Sequence, residues 1–453
     1  MIKKLRRLFG SGDNEMKEAL SHAKIAFILR IFGAGLSFLF NSAVARLLGA
    51  DGAGIYFLAL SFMMISAVVG RLGLENSLLR FIASGIAAGQ SDRVRGVFAT
   101  SMRWTLLSTG TIAVATILLA GPAAYHVFND PDLVWPLRLM AVAIISFSVA
   151  TSTSFALKGL KKVAQASYVA NLIHPSLALL LLWPLTENFA VSGAVMSYVL
   201  GTVAAALIGW WMWRRNMATL PCGPSEFPIS ELTASSRPLW ISQIVLRGLV
   251  PWAPVFLMGI WASSSDTAII GIATRISLLI ALVLQAVTAS VSPQYAKLYS
   301  AGEYRRLASM IRRFSLLLTA AASPIFLVMV VFNTSIMSMF GEGFAEGGMV
   351  LAILAVGQFV NTLCGTTFAV LTMSGHERDV RNTTLVTAAV LGVLCVLLIP
   401  PYAAIGGALS ISATVIVNNA LAMIQIRRRL GITALYGLHY LLPDKIRAAT
   451  DPR

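Results

Sequence analysis

The sequence predicts an all-α polytopic membrane protein: about twelve transmembrane helices in two six-helix lobes related by a parallel pseudo-two-fold repeat, with both termini cytoplasmic. Three observations carry this expectation: an apolar composition, an alternation of basic and acidic loops, and a repeat of the chain upon itself. Of 453 residues, 57% are hydrophobic and 12% charged, with a mean hydropathy of +0.78, whereas a soluble domain carries roughly 25% charged residues. A spanning helix needs about 20 apolar residues, so the chain can hold a dozen spans and leaves little for a soluble head.

Taken in order, a basic tail (1–21) opens with MIKKLRRLFG, four cations with no signal-length apolar core and no small-residue cleavage site, so no leader is expected to be removed. The N-terminal lobe (22–215) has apolar runs starting near 22, 54, 97, 134, 165 and 190. A cytoplasmic linker (216–237) belongs to the Pro- and Ser-rich stretch RRNMATLPCGPSEFPISELTASSRP, which contains no apolar span. The C-terminal lobe (238–429) has runs starting near 238, 267, 308, 346, 382 and 403, and a second cytoplasmic tail covers 430–453. Cys222, Cys364 and Cys395 lack zinc or CxxC spacing and read as small apolar fillers.

Charge placement sets the orientation. Of the 35 lysines and arginines, 29 fall in or beside the two tails and every second loop, while the alternate loops carry Asp51, Asp130, Asp132, Glu187, Asp266, Glu342 and Glu346. The positive-inside rule places the basic loops in the cytoplasm. The net charge of +16 is therefore mainly a topology signal, and no nucleic-acid partner is expected. The repeat has an offset of about 214: FIASGIAAGQSDRV at 81 pairs with YAKLYSAGEYRRL at 295, ALKGLKKV at 156 with TMSGHERDV at 372, and AVSGAVMSYVLGTV at 190 with AIGGALSISATVIV at 404. Six spans per copy return each half to the same side, so the repeat is parallel and a substrate site is expected between the halves near the midplane.

Four cations, Arg30, Arg71, Arg247 and Arg275, fall inside spans. A mid-helix arginine facing lipid costs about 2.5 to 3.5 kcal/mol, which favours an inward orientation. Snorkelling is the structural alternative for Arg30 and Arg247, each about two turns from the cytoplasmic end; for Arg71 it is an i,i+4 ion pair with Glu75. Arg275, in TAIIGIATRISLLIALVLQAVTASV, has no acid within one turn. Planar, permanently charged forks suit phosphate or carboxylate, so an anionic ligand is expected.

Asn41, Gln243, Gln285, Gln358 and Asn361 are candidates for a polar cavity, although such residues also glue helices together. His174, before Pro175, and Glu75 are candidate proton-linked groups. Pro251 and Pro254, in LVPWAPVF, are a candidate hinge or a static bend. The sequence shows no GxSxG, HExxH, P-loop or metal-spaced His/Cys group. No catalytic residue, metal or cofactor is expected, and a transporter is favoured over an enzyme.

RIFGAGLSFLFNSAVARLLGADGAGIYFLALSF at 30–62 and FGEGFAEGGMVLAILAVGQFVNTLCGTTFAVLTMSGHERDV at 340–380 resemble the bacterial polysaccharide and O-antigen flippases of the multidrug/oligosaccharidyl-lipid/polysaccharide (MOP) exporter superfamily. The resemblance implies a fold like that of the multidrug exporters of this superfamily. It also implies alternating access through a cationic cavity that carries a polyprenyl-diphosphate-linked oligosaccharide (an O-antigen, capsule or exopolysaccharide unit) to the outer leaflet of the bacterial inner membrane. Implied partners are that glycan, the bilayer, and a polysaccharide polymerase with its chain-length machinery. Membrane potential, a proton and a sodium ion all remain open as the driving force. The alternatives are another lipid-linked-precursor exporter of the superfamily, a multidrug exporter, for which the spans hold too few acids, and a membrane polymerase, for which the outer loops are too short.

Overall fold

The computed structural model describes residues 2–218 and 227–432. The side chains of residues 1–24, the linker stretch 219–226 with Cys222, and the tail beyond Ile432 lie outside the described residues. The helices are α1 (Ile2–Gly70), α2 (Leu74–Ala87), α3 (Ser91–His126), α4 (Val134–Gly159), α5 (Val163–Asn171), α6 (Ile173–Met217), α7 (Ile229–Gln243), α8 (Val250–Trp261), α9 (Ser264–Ser300), α10 (Tyr304–Val331), α11 (Asn333–Ser338), α12 (Gly348–Cys364), α13 (Thr367–Met373) and α14 (Glu377–Leu430). A π-helical turn, Ile244–Leu249, joins α7 to α8. This is a multi-pass membrane protein, with nine candidate spans among the described residues.

Three of the nine, Ile28–Gly70, Val163–Met217 and Arg378–Leu430, run 43, 55 and 53 residues. At 1.5 Å per residue each is long enough for two crossings. Each also contains a residue where the helix breaks: Gly49 (φ 68, ψ −174), Ala190 (φ 47, ψ −127) and Ala403 (φ 45, ψ −126). The loops expected near these positions are thus single-residue reversals, and the backbone runs helical on both sides.

The chain forms two compact units. Unit 1 is Met1–Leu48 with Ala59–Ile244, and unit 2 is Gly49–Leu58 with Val245–Arg453. In unit 1, Leu78, Phe81, Val94, Phe98 and Trp213 form a core in which the Phe98 and Trp213 rings stack at 4.0 Å. Phe227 and Leu232 pack into the same core, so the second part of the expected linker 216–237 is built into this unit. Arg93 ties it down further, pairing with Glu231 at 2.9 Å and lying over the Phe227 ring.

Unit 2 contains a second core in the same register. Tyr295, Leu307, Ile311, Val370 and Ile426 stand 213 or 214 residues after Phe81, Val94, Phe98, Ala156 and Trp213. Left-handed backbone positions recur as well: Gly89 and Gly302, Lys161 and Gly375, Ala190 and Ala403, and Asn129 and Gly341 are each 212 to 214 apart. The sequence pairing of 156 with 372 is therefore two residues out of the register that the backbone shows. Leu72 and Gly73, both at positive φ, have no such counterpart in α9, which runs unbroken from Ser264 to Ser300.

The reversals at Ala190 and Ala403 depend on a small residue three positions on. A Cβ at Gly193 would lie 2.0 Å from the Leu185 carbonyl oxygen, and one at Gly406 would lie 1.9 Å from that of Leu398. Both obstacles are backbone and cannot rotate away. Outside these close contacts, α3 and α10 bury little and present Leu107, Leu118, Leu119, Leu317, Leu327 and Val331 outward, as lipid-facing helices do. We expect Gly193→Ala to destabilise the protein by roughly 1–3 kcal/mol, the usual cost of overpacking. Gly392→Ala, where a Cβ meets nothing within 4 Å, should leave the thermal midpoint in detergent unchanged; equal midpoints for the two variants would contradict the tight-reversal account.

Candidate functional site

The four arginines expected inside spans divide two and two, Arg30 and Arg71 in unit 1, Arg247 and Arg275 in unit 2; Arg30, Arg247 and Arg275 fall in candidate spans, whereas Arg71 lies just past the end of the span Ile28–Gly70. Each has a different environment. Arg30 and Arg247 are exposed side chains. Arg71 is 4% exposed and pairs through Nε with Oε1 of Glu75, itself 3% exposed, while the Phe147 ring lies 5.7 Å from its guanidinium carbon.

The Arg71–Glu75 spacing predicts a pair along one helical turn, and the structure corrects that picture. The helix ends at Gly70, Leu72 and Gly73 take φ 54 and 67, and Glu75 lies in the first turn of α2. The break is held from α7: the Trp240 indole donates to the Val69 carbonyl at 3.1 Å. A Cβ on Gly73 would come within 2.9 Å of Trp240 Cα, so glycine permits both the left-handed turn and the close approach. A carboxylate at the N-terminus of α2 is also favoured by the helix dipole. Arg71 Nη1 is buried with no hydrogen-bond partner.

Arg275 is half-buried on α9 and donates from Nη1 to the Gly271 carbonyl at 2.7 Å. Its guanidinium carbon lies 4.3 Å from the Phe57 ring centroid and 5.8 Å from that of Trp252. Two ring faces and a carbonyl solvate the cation, an arrangement worth about 2 kcal/mol or more per ring when desolvated. Gly271 makes room for it, since a Cβ there would meet Phe57 at 2.8 Å. Neither ring is among the residues expected from the sequence; Phe57 comes from a segment more than two hundred positions away.

Pro251 follows directly on the π turn at the start of α8, and Pro254 is inside that helix. A proline ring clashes with the carbonyl four residues earlier, which for Pro251 is Arg247. The widened π turn over Ile244–Leu249 relieves that clash, so the distortion falls on the turn that carries Arg247.

The polar candidates are scattered. In unit 2, Asn361 Nδ2 donates to Gln358 Oε1 at 3.4 Å and Asn419 Nδ2 to Asn361 Oδ1 at 3.0 Å. This amide chain brings in Asn419, which is 1% exposed and whose Oδ1 is buried without a hydrogen-bond partner. Gln285 is exposed. In unit 1, Asn41 Nδ2 donates to the Ser37 carbonyl at 2.5 Å, and Gln243 Oε1 is buried without a hydrogen-bond partner. His174 meets the Tyr198 ring edge-on at 5.3 Å. Among the described residues no three of His, Cys, Asp and Glu gather as a metal site.

Residues 22–326, two thirds of the chain, match the sequence profile described as "Polysaccharide biosynthesis protein". The chain belongs to that family. The resemblance to polysaccharide flippases holds, and of the two stretches that carried it 30–62 lies within the matched residues. A curated relative, the probable low-salt glycan biosynthesis flippase Agl15 of Haloferax volcanii, is 25% identical over 87% of this chain and 80% of its own length. The fold is that of MOP superfamily transporters. An inward-facing multidrug resistance MATE transporter superposes with a TM-score of 0.71 at 14% identity, covering 89% of this chain and 98% of that one. Lipid II flippase MurJ in an inward closed conformation gives 0.71 at 12% identity, covering 94% of each chain.

The buried pair gives a direct test. Glu75→Ala leaves Arg71 uncompensated and should cost roughly 3–5 kcal/mol, whereas Arg71→Met with Glu75→Met should be close to neutral. Thermal unfolding in detergent distinguishes them; a single variant as stable as the double one would mean that the pair has no structural role.

Proposed function

We propose that this protein is a flippase, not an enzyme, which carries a polyprenyl-diphosphate-linked oligosaccharide from the cytoplasmic to the outer leaflet of a bacterial inner membrane. Family membership and the glycan-flippase relative support the substrate class, and both matched solved folds are transporters. The observation that carries the mechanism is Arg275, a planar cation held half-buried on two aromatic faces inside an apolar span.

In this reading the three long kinked spans each cross twice, giving twelve passes, both termini cytoplasmic, and two six-helix lobes as alternating-access halves. Arg275, Arg30 and Arg247 neutralise the diphosphate, each contact contributing on the order of 4 kcal/mol at an effective dielectric near 20. Arg71 and Glu75 brace the first lobe. Asn41, Gln243, Gln285, Gln358 and Asn361 offer amides to sugar hydroxyls, and the π turn before Pro251 and Pro254 takes up bending. The lipid tail stays in the bilayer throughout. Moving an anion outward across an inside-negative potential is favourable by about 2.3 kcal/mol per charge per 100 mV, so the potential drives export without a coupled ion. Were a proton coupled instead, His174 and Glu75 would be the candidates to carry it.

The test is flipping of a fluorescent short-chain polyprenyl-diphosphate oligosaccharide by protein reconstituted in vesicles, with an imposed potential and, separately, proton or sodium gradients. Arg275→Ala should reduce the rate at least about tenfold, corresponding to a loss of 1.4 kcal/mol or more. Arg275→Lys, which keeps the charge but not the planar fork, should fall between. Rates for Arg275→Ala within a factor of about two of the unaltered protein would remove Arg275 from the site. Dependence on sodium or proton gradients alone would replace the potential as driving force.

A further inference from the structure

The two halves of the chain differ at one matched place. In unit 2, Gly375 turns the chain at φ 79, His376 caps α14, and Asp379 receives Arg429 Nε at 2.8 Å and Nη2 at 3.3 Å. In unit 1 the register of 214 residues puts Lys161 (φ 61) at the turn, Lys162 at the cap of α5, Gln165 opposite Asp379 and Arg215 opposite Arg429. The arginine is kept and its carboxylate has become an amide. Gln165 Oε1 instead receives Asn216 Nδ2 at 2.8 Å, and Arg215 lies over the Trp211 ring at 5.5 Å.

A groove of about 590 Å³ lies at this place, with Lys162, Gln165, Trp211 and Arg215 in its lining beside Ile86 and Leu160, and no acidic side chain among its lining residues. Lys162 and Arg215 are exposed, and Trp211 is 55% exposed. The groove therefore pairs two cations with an apolar wall and an outward tryptophan, the residue type that marks a membrane–water interface. Two cations that have lost the carboxylate present in the sister half are complementary to a phosphate, and basic pockets between helices at the cytoplasmic face take phosphate head groups.

We propose that this groove binds the head group of an anionic phospholipid of the cytoplasmic leaflet. Lys162 and Arg215 take the phosphate oxygens, Trp211 sits at the glycerol level, and an acyl chain follows Ile86 and Leu160. The inference rests on the membrane placement described under the proposed function and not on the glycan. It adds a lipid site on one lobe, with none of the arginines assigned to transport in its lining.

The test uses the full chain in nanodiscs and reads tryptophan quenching by brominated phosphatidylglycerol against brominated phosphatidylcholine, with Trp211→Phe defining the share due to Trp211. That share should respond to phosphatidylglycerol at a lipid fraction about tenfold lower than to phosphatidylcholine. Gln165→Asp, which restores the internal carboxylate of the sister half, should abolish the preference, and so should Lys162→Gln with Arg215→Gln if the first variant fails to fold. Millimolar inorganic phosphate should leave the quenching unchanged; displacement by it would make this a soluble-anion site and overturn the lipid assignment. Equal quenching by both lipids, or a preference that survives the variants, would also overturn it. Nanodiscs expose both faces and contain no glycan, so lipid preference without flipping leaves this inference standing, and flipping without lipid preference sinks it alone.

Discussion

A guanidinium inside hydrocarbon must be solvated by the protein, because no water is there to do it. Arg275 lies within the candidate span Ser264–Leu282 and Arg71 at the break just after Ile28–Gly70, and the protein surrounds the two differently. Arg71 is neutralised by Glu75 and sealed over by Phe147, leaving little of it exposed. Arg275 is given polarisable ring faces and a main-chain carbonyl, which stabilise the charge while the side chain remains half-buried. The first arrangement suits a brace and the second a contact. Glycine at 73 lets Trp240 approach the break and reach the Val69 carbonyl, and glycine at 271 lets Phe57 reach Arg275.

Duplication explains much of the remainder. One core is built twice, with Phe81, Val94 and Trp213 standing where Tyr295, Leu307 and Ile426 stand in the second copy. One reversal is also built twice, at Ala190 and Ala403, each with a glycine three residues later. Where the copies diverge they do so by small chemical steps: an unbroken helix against the turn at Leu72–Gly73, or a glutamine at 165 against an aspartate at 379. Those divergent points hold the buried ion pair and the basic groove. A symmetric scaffold has acquired asymmetric sites without altering its core register.

Much of the architecture was legible in the residues. Apolar runs located most of the long helices to within several positions. The i,i+4 spacing found the Arg71–Glu75 pair, but nothing at Leu72 announces a left-handed residue, so the break between the partners was hidden. The aromatic seat of Arg275 was hidden for a different reason. Phe57 and Trp252 approach it from other helices, and no local period links residues so far apart. Alanine gives no turn signal at 190 or 403; the starts of apolar runs and the repeat alignment marked these places, but not that a single residue makes the break. In the Gln165–Asp379 contrast, Gln165 lay two residues beyond its quoted stretch while Asp379 lay inside the partner stretch, and the register of that pairing was slipped by two.

The segment Gly49–Leu58 belongs to unit 2 although the chain on both sides of it belongs to unit 1. Its closest neighbours come late in the chain: Gly54 against the Ser264 carbonyl, Leu58 against Gly259, Phe57 against Gly271 and Arg275. A ribosome working at about 5–20 residues per second needs on the order of 10 to 40 s to cover the interval from Leu58 to Ser264. During that time unit 1 can assemble most of its core while ten of its own contiguous residues wait in the bilayer for partners not yet made. Completion of the first half is thus tied to synthesis of the second, and a chain that stopped at the linker would keep an unfilled contact surface in its second helix.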